Sequence, residues 1–200
     1  MDMKSILDEA VKVLKAGGVI LYPTDTVWGI GCDATNEKAV ARVFEIKRRS
    51  EAKSLVLLAG DLDMVARNVK EIPSIAIDLV EVNDAPMTII YPGAQYLATN
   101  AVAEDGSVGI RIPLVDESMA GSLKGADFCR ELVRRLHRPL VSTSANISGE
   151  PAPTCYDDIS PEVVAAMDYV VPKAADSGAT GRPSQIIKLG LGGEVEIIRS

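Results

Sequence analysis

The chain reads as an α/β fold, a single domain over residues 1–200 with a twisted mixed parallel/antiparallel sheet flanked by helices. Three observations predict it: apolar residues recur at helical spacing in some segments, short β-branched runs fill others, and the two kinds alternate between turn residues. Ile6, Leu7, Ala10, Val11, Val13 and Leu14 define a helix over 5–16, stopped by Gly17-Gly18. A buried strand follows at 19–22. Val40, Val43, Phe44 and Ile46 form most of the apolar face of a helix at Glu37–Lys47. A strand at 55–59 precedes helices at 61–69, opened by Asp61 as N-cap, and at 74–82, after Pro73. Strands at 87–91 and 108–112 enclose a turn-rich stretch, 92–106, that reads as a mobile flap. A helix from Ala126, a strand at 140–143, a helix at 161–167 and a strand at 169–171 come next. Two strands at 184–189 and 195–199, joined by a glycine-rich turn, close the chain.

Composition bounds the function. At 200 residues, 47% hydrophobic and 24% charged, the chain buries a sizeable core. No apolar run approaches the roughly 18–20 residues of a membrane span. The start carries Asp2, Lys4, Asp8 and Glu9 where a signal peptide is basic and then apolar. A cytoplasmic protein without membrane contact is expected. Three cysteines without a CxxC pair indicate neither a disulfide framework nor a zinc site. A net charge of −7 predicts weak or no autonomous nucleic-acid binding, because that affinity comes largely from Lys and Arg on phosphates. The one histidine, His137, sits in a loop-like Leu-His-Arg-Pro setting, which argues against a Ser-His-Asp hydrolase.

The most informative stretch is Val141-Ser142-Thr143-Ser144-Ala145-Asn146-Ile147-Ser148-Gly149, where an apolar run ends in small hydroxyl residues and an amide. At a strand end, Ser142, Ser144 and Asn146 suit phosphate or ribose oxygens, and a serine-rich turn bonded to its own backbone is the competing reading. Tyr22-Pro23-Thr24-Asp25-Thr26 follows directly on the first strand, with Thr24 and Thr26 on one face if the chain stays extended. Lys47 and Arg49 end the second helix as a point charge and a fork for phosphate, or else form a solvated helix end. Ser107 and Arg111 share a strand face, and an arginine between Ile110 and Ile112 points to a ligand carboxylate or phosphate. Arg199 follows Ile197 and Ile198 in the last strand and is the weakest of these signals.

The segments YPTDTVWGIGCDA, Lys47-x-Arg49, SVGIRIP, STSANISGEP and PSQIIKLG with EIIR, in this order, resemble the YrdC/Sua5/TsaC family, the L-threonylcarbamoyladenylate synthases, from about Ile6 to Arg199. The resemblance implies a YrdC-like fold and synthesis of L-threonylcarbamoyl-AMP from L-threonine, bicarbonate or CO2 and ATP, assisted by Mg2+, with release of pyrophosphate. That reaction is the first step toward N6-threonylcarbamoyladenosine in transfer RNA. The chain is similar to the short form, which hands its product to separate downstream tRNA threonylcarbamoyl-transfer proteins.

By the same resemblance, Thr24 and Ser184 contact threonine and Arg111 pairs with its carboxylate. Lys47 and Arg49 take the triphosphate, Ser107, Ser142, Ser144 and Asn146 contact the nucleotide, and Arg199 clamps a phosphate or the nucleotide. Lys47, Arg49 and Arg111 carry the catalysis, and no residue is assigned to a metal. Alanine at Lys47 or Arg111 is expected to keep the fold and abolish pyrophosphate release.

Departures from the family pattern fall at Ser50, Ser54, Leu58 and Asn83-Asp84-Ala85-Pro86, where relatives carry prolines, a histidine and a WPGP loop. Other readings are a double-stranded RNA or tRNA-binding module of the same fold, a divergent paralogue without this activity, and a carbamoyl-adenylate maker of the hydrogenase-maturation kind.

Overall fold

The computed structural model describes residues 2–50, 55–178 and 180–200. Helix α1 (Met3–Lys15) begins where the Asp2 carboxylate accepts from the Ser5 N–H at 2.8 Å, and it buries the stripe Ile6, Leu7, Ala10, Val11 and Leu14. Gly17 ends it in the left-handed region, at φ 83°. Strand β1 (Ile20–Tyr22) then turns back as β2 (Gly29–Gly31). Helix α2 (Glu37–Lys47) is capped by Asn36 and closed by Arg48 at φ 49°. Strand β3 (Val56–Leu58) leads to α3 (Leu62–Asn68), capped by Asp61 as expected, and α4 (Ser74–Val82). After β4 (Met87–Tyr91) and β5 (Val108–Arg111), helix α5 (Gly125–Leu136) ends at His137, which adopts φ 60° as a cap. Strand β6 (Leu140–Ser144), helix α6 (Pro161–Ala165) and strands β7 (Tyr169–Val170), β8 (Gln185–Leu189) and β9 (Val195–Arg199) complete the order.

Among the described residues the strands form one nine-stranded sheet in the order β7-β1-β2-β6-β3-β5-β4-β8-β9. The pairs β1–β7, β3–β5 and β4–β8 are parallel, and the other five are antiparallel, so the sheet is mixed as the pattern of elements predicts. Helices α1 and α5 pack together, α1 against β1 and α5 against β3. The core between helices and sheet includes Leu7, Leu14, Leu21, Trp28, Leu57, Phe128 and Leu132, all fully buried.

Two local expectations give way. Strand β2 lies in what reads as a loop, because glycine is depleted in strands and two of its three residues are glycine. Packing demands Gly31: a Cβ there would stand 2.7 Å from the Tyr22 ring and 2.8 Å from the Val141 carbonyl. The stretch 92–106 is a fastened loop and not a detached flap. Lys70 N donates to Gly93 O at 2.8 Å, Gln95 N to Asn68 O and Ala98 N to Ala34 O at 2.9 Å, while Ala98 and Ala101 are buried. The departure at Ser54 lies outside the described residues. Leu58 is a fully buried core residue of β3, where its Cα pairs with those of Arg111 and Leu140.

Candidate active site

Strand register builds the site. Ser142, Val56, Gly109, Ile90, Lys188 and Glu196 are successive Cα partners across β6, β3, β5, β4, β8 and β9. Side chains that pair across a sheet share a face, so this row marks one face running from β6 to the β9 edge. All six line a single cavity of about 840 Å3, within the roughly 300–1,000 Å3 typical of small-molecule sites. Residues at steps of two along each strand and just before it repeat the pattern: Ser107 and Arg111 flank Gly109, Ser144 follows Ser142, Thr88 precedes Ile90, and Ser184 and Ile186 precede Lys188. The loop after β1 adds Thr24, Thr26 and Val27, and the segment after α2 adds Arg49.

Arg199 reaches this face through an irregularity. Ile187 pairs with Ile197 but Ile186 pairs with Arg199, so Ile198 is an extra residue. A bulge re-aims the side chain beyond it. Strict alternation would send Arg199 to the face opposite Ile198, whereas both line the cavity. The Arg199 guanidinium is held by the Ser184 carbonyl, which accepts from Nε at 2.9 Å and Nη2 at 2.7 Å.

Polar and apolar side chains share the lining, the apolar ones including Val27, Leu55, Val56, Ile90, Ile186 and Ile198. Thr24 is internally engaged: its hydroxyl donates to Val27 O at 2.7 Å and accepts from the N–H of Thr26 and Val27 at 3.0 and 3.2 Å. Thr26 Oγ1 lies 3.0 Å from Thr24 Oγ1. Thr88 and Ser184 form a buried hydroxyl pair at 2.8 Å. Arg111 is bound to Asp25 at 2.6 Å, with 4% and 14% of the two side chains exposed. Burial works against the Arg111 charge and the Asp25 carboxylate more than offsets it, so the guanidinium is held above its ordinary value. Asp105, also in the lining, is held well below the usual carboxylate range by Lys188 and by the Ser107 hydroxyl and N–H.

The structure brings Thr24, Arg49, Ser107, Arg111, Ser142, Ser144, Ser184 and Arg199 to the cavity wall. Lys47 and Asn146 stand apart from it. The expectation that Lys47 meets the triphosphate directly does not match its orientation: Nζ donates to Ser144 O at 2.5 Å, Asn146 O at 2.7 Å and Asn146 Oδ1 at 3.3 Å. Ser148 N donates back to Lys47 O at 2.9 Å. Lys47 thus ties the end of α2 to the turn after β6 from behind. Burial, with Arg49 nearby, pushes its ammonium down to about 8. Arg48, between the two, faces outward and pairs with Glu162. The basic run therefore divides three ways, into a buried tie, a solvated ion pair and a cavity wall.

Thr26, noted in the sequence beside Thr24, lines the cavity with it, whereas Thr88, Asp25 and Lys188 were not singled out as site residues by sequence. Thr26 carries a signal, since it sits two residues from Thr24, while Thr88 meets the site only through its contact with Ser184. Asp25 and Lys188 carry none, because their partners lie far away in sequence.

The Sua5/YciO/YrdC family model, described as telomere recombination, matches residues 12–200. The chain belongs to this family. Among curated relatives, the threonylcarbamoyl-AMP synthase of Xanthomonas euvesicatoria pv. vesicatoria is 36% identical over 187 residues, covering 90% of this chain and 91% of the relative. That of Stenotrophomonas maltophilia is 33% identical over 194 residues with the same coverage. Among solved structures, a double variant of P. abyssi Sua5 superposes with a TM-score of 0.82 at 25% identity. That alignment covers 100% of this chain, which spans 57% of the Sua5 chain. E. coli YciO, at 20% identity and a TM-score of 0.79, covering 100% of this chain and 90% of its own, shares the fold.

Proposed function

We propose that the protein, acting as one catalytic unit over residues 1–200, is a threonylcarbamoyl-AMP synthase that joins L-threonine, bicarbonate or CO2 and ATP with release of pyrophosphate. The product feeds N6-threonylcarbamoyladenosine formation in transfer RNA. The observation that carries this is the convergence of Arg49, Arg111 and Arg199 with Ser107, Ser142, Ser144 and Ser184 on one cavity, in a chain at least 33% identical over nine-tenths of its length to relatives bearing that name.

The reaction gathers negative charge twice, when the amine captures CO2 and when the carbamate oxygen attacks the α-phosphate. Fixed cations and O–H donors lower both barriers by neutralising the triphosphate and aligning the attack. Arg49 and Arg199 take phosphate oxygens, while Ser107, Ser142 and Ser144 orient the nucleotide. Lys47 and Asn146 act one layer back by shaping the turn that presents Ser144. Arg111 receives the threonine carboxylate, and Thr24 and Ser184 border the amino acid.

Among the described residues no group of three His, Cys, Asp or Glu side chains is arranged to hold a metal ion. Mg2+ prefers oxygen ligands and keeps several waters, so it would enter as the companion of ATP and not on a cage of protein carboxylates. Bound there, it would supply charge neutralisation.

No helix among the described residues is long and apolar enough to cross a membrane. We place the enzyme in the cytoplasm, passing its product to separate tRNA threonylcarbamoyl-transfer proteins, with weak or no nucleic-acid binding of its own at a net charge of −7. The test is pyrophosphate release with each of ATP, threonine and bicarbonate omitted in turn. Release that requires all three is expected. Release that ignores threonine overturns the proposal, and tight salt-sensitive RNA binding without turnover favours an RNA-binding module.

A further inference from the structure

Arg111 and Asp25 lie 86 residues apart in sequence and form a buried ion pair at 2.6 Å. Arg111 lines the cavity and Asp25 stands behind it. The Asp25 backbone takes part as well. Its carbonyl accepts from Thr180 N at 3.0 Å, and the next carbonyl, of Thr26, accepts from Gly181 N at 2.9 Å. These two bonds fasten the strap that leads into Ser184 and β8 onto the loop carrying Thr24. One residue thus stands at the crossing of three candidate amino-acid contacts, Thr24 beside it, Arg111 through its carboxylate and Ser184 through the strap.

We propose that Asp25 is a positioning and selectivity residue, which fixes Arg111 and keeps that corner of the cavity suited to a single carboxylate in preference to a triphosphate. This rests on the reading of Arg111 as the threonine-carboxylate contact. An arginine on a long stem samples many rotamers, and anchoring one Nη in an ion pair sets the plane in which its remaining N–H groups point. The pair also sorts charge. Arg111 carries a carboxylate partner, so the corner is close to neutral before substrate arrives and attracts a monoanion modestly. Arg199 is held by the uncharged Ser184 carbonyl and presents its full charge to phosphates.

Asp25 depends on Arg111 in return. Its Oδ2 is buried without a hydrogen-bond partner among the described residues, so the guanidinium supplies its charge compensation.

The test compares Asp25→Asn, Arg111→Met and the double variant in pyrophosphate release, with KM for threonine and ATP measured separately and folding followed by circular dichroism. Asp25→Asn is expected to raise the threonine KM at least tenfold and leave the ATP KM within about twofold. In the Arg111→Met background the same change is expected to have no further effect on threonine. If Asp25→Asn fails to fold, the double variant decides, because it removes both charges together. An unchanged threonine KM in folded Asp25→Asn, equal rises in both KM values, or a double variant another tenfold worse than Arg111→Met overturns the inference. Turnover by the wild type with no effect at Asp25 sinks this inference alone. A wild type that neither binds nor consumes threonine sinks it together with the functional reading.

Discussion

The Lys47 ammonium lies 2.5 Å from the Ser144 carbonyl, joining the last turn of α2 to the end of β6 across 97 residues of sequence. Its other acceptors belong to Asn146. Under the proposed function, Lys47 therefore acts on the nucleotide through the shape of the turn. In Lys47→Met, binding of AMP and of ATP is expected to fall together by tenfold or more, since hydrogen bonds to a charged group contribute about 1.5–3 kcal/mol each. Calorimetric titration with both nucleotides reads this. A variant that loses ATP but keeps AMP would show direct contact with the outer phosphates.

The same burial gives Lys47 a signature in stability. Its ammonium is lowered from 10.5 to about 8 in the folded protein. Between those values the unfolded chain binds more protons than the native one at this site, so the group's contribution to stability rises with pH across that window. Denaturant midpoints at pH 8 and pH 10 should therefore shift upward for the wild type relative to Lys47→Met. An identical pH response in the two proteins would contradict it.

Arg111→Ala is not the clean activity probe that sequence suggests. It leaves the Asp25 carboxylate buried and uncompensated, at a cost of about 3–5 kcal/mol for a broken buried pair. Urea unfolding should show a lower midpoint for Arg111→Ala, and a higher one when Arg111→Met is combined with Asp25→Asn. Wild-type stability in Arg111→Ala would mean the ion pair is worth little.

Gly31→Ala tests the close packing of the β1–β2 hairpin. The new methyl would meet the Tyr22 ring and the Val141 carbonyl at under 3.0 Å, and overpacking of this kind costs about 1–3 kcal/mol. Thermal melting should show the loss. Gly106→Ala, where the added methyl meets nothing within 4 Å but the backbone sits at φ 76°, separates packing cost from conformational cost.

Helix boundaries were legible where a cap and an apolar stripe coincide. Asn36 and the 40, 43, 44 spacing define α2, and Asp61 opens α3. The same stripe held an unread signal: Lys47 continues the positions of Val40, Val43 and Phe44 by one turn and is buried with them, whereas Ile46, read as part of the face, is only half-buried. Strand β2 was hidden because Gly31 answers to Tyr22 and Val141, contacts that no local pattern encodes. Sheet order is likewise nonlocal, for β6 sits between β2 and β3. The hydroxyl and arginine positions of the site were legible because alternation places Ser107 with Arg111 and Ser142 with Ser144 on one face. What escaped were the partners that hold them, Asp25 for Arg111 and the bulge at Ile198 for Arg199.

The most direct measurement is mass spectrometry of the products formed from ATP, threonine and 13C-bicarbonate. One adenylate bearing both the threonine mass and the label, formed in step with pyrophosphate, is the predicted result. Release of AMP or ADP without a labelled threonine adduct would contradict the claim that this cavity assembles all three substrates.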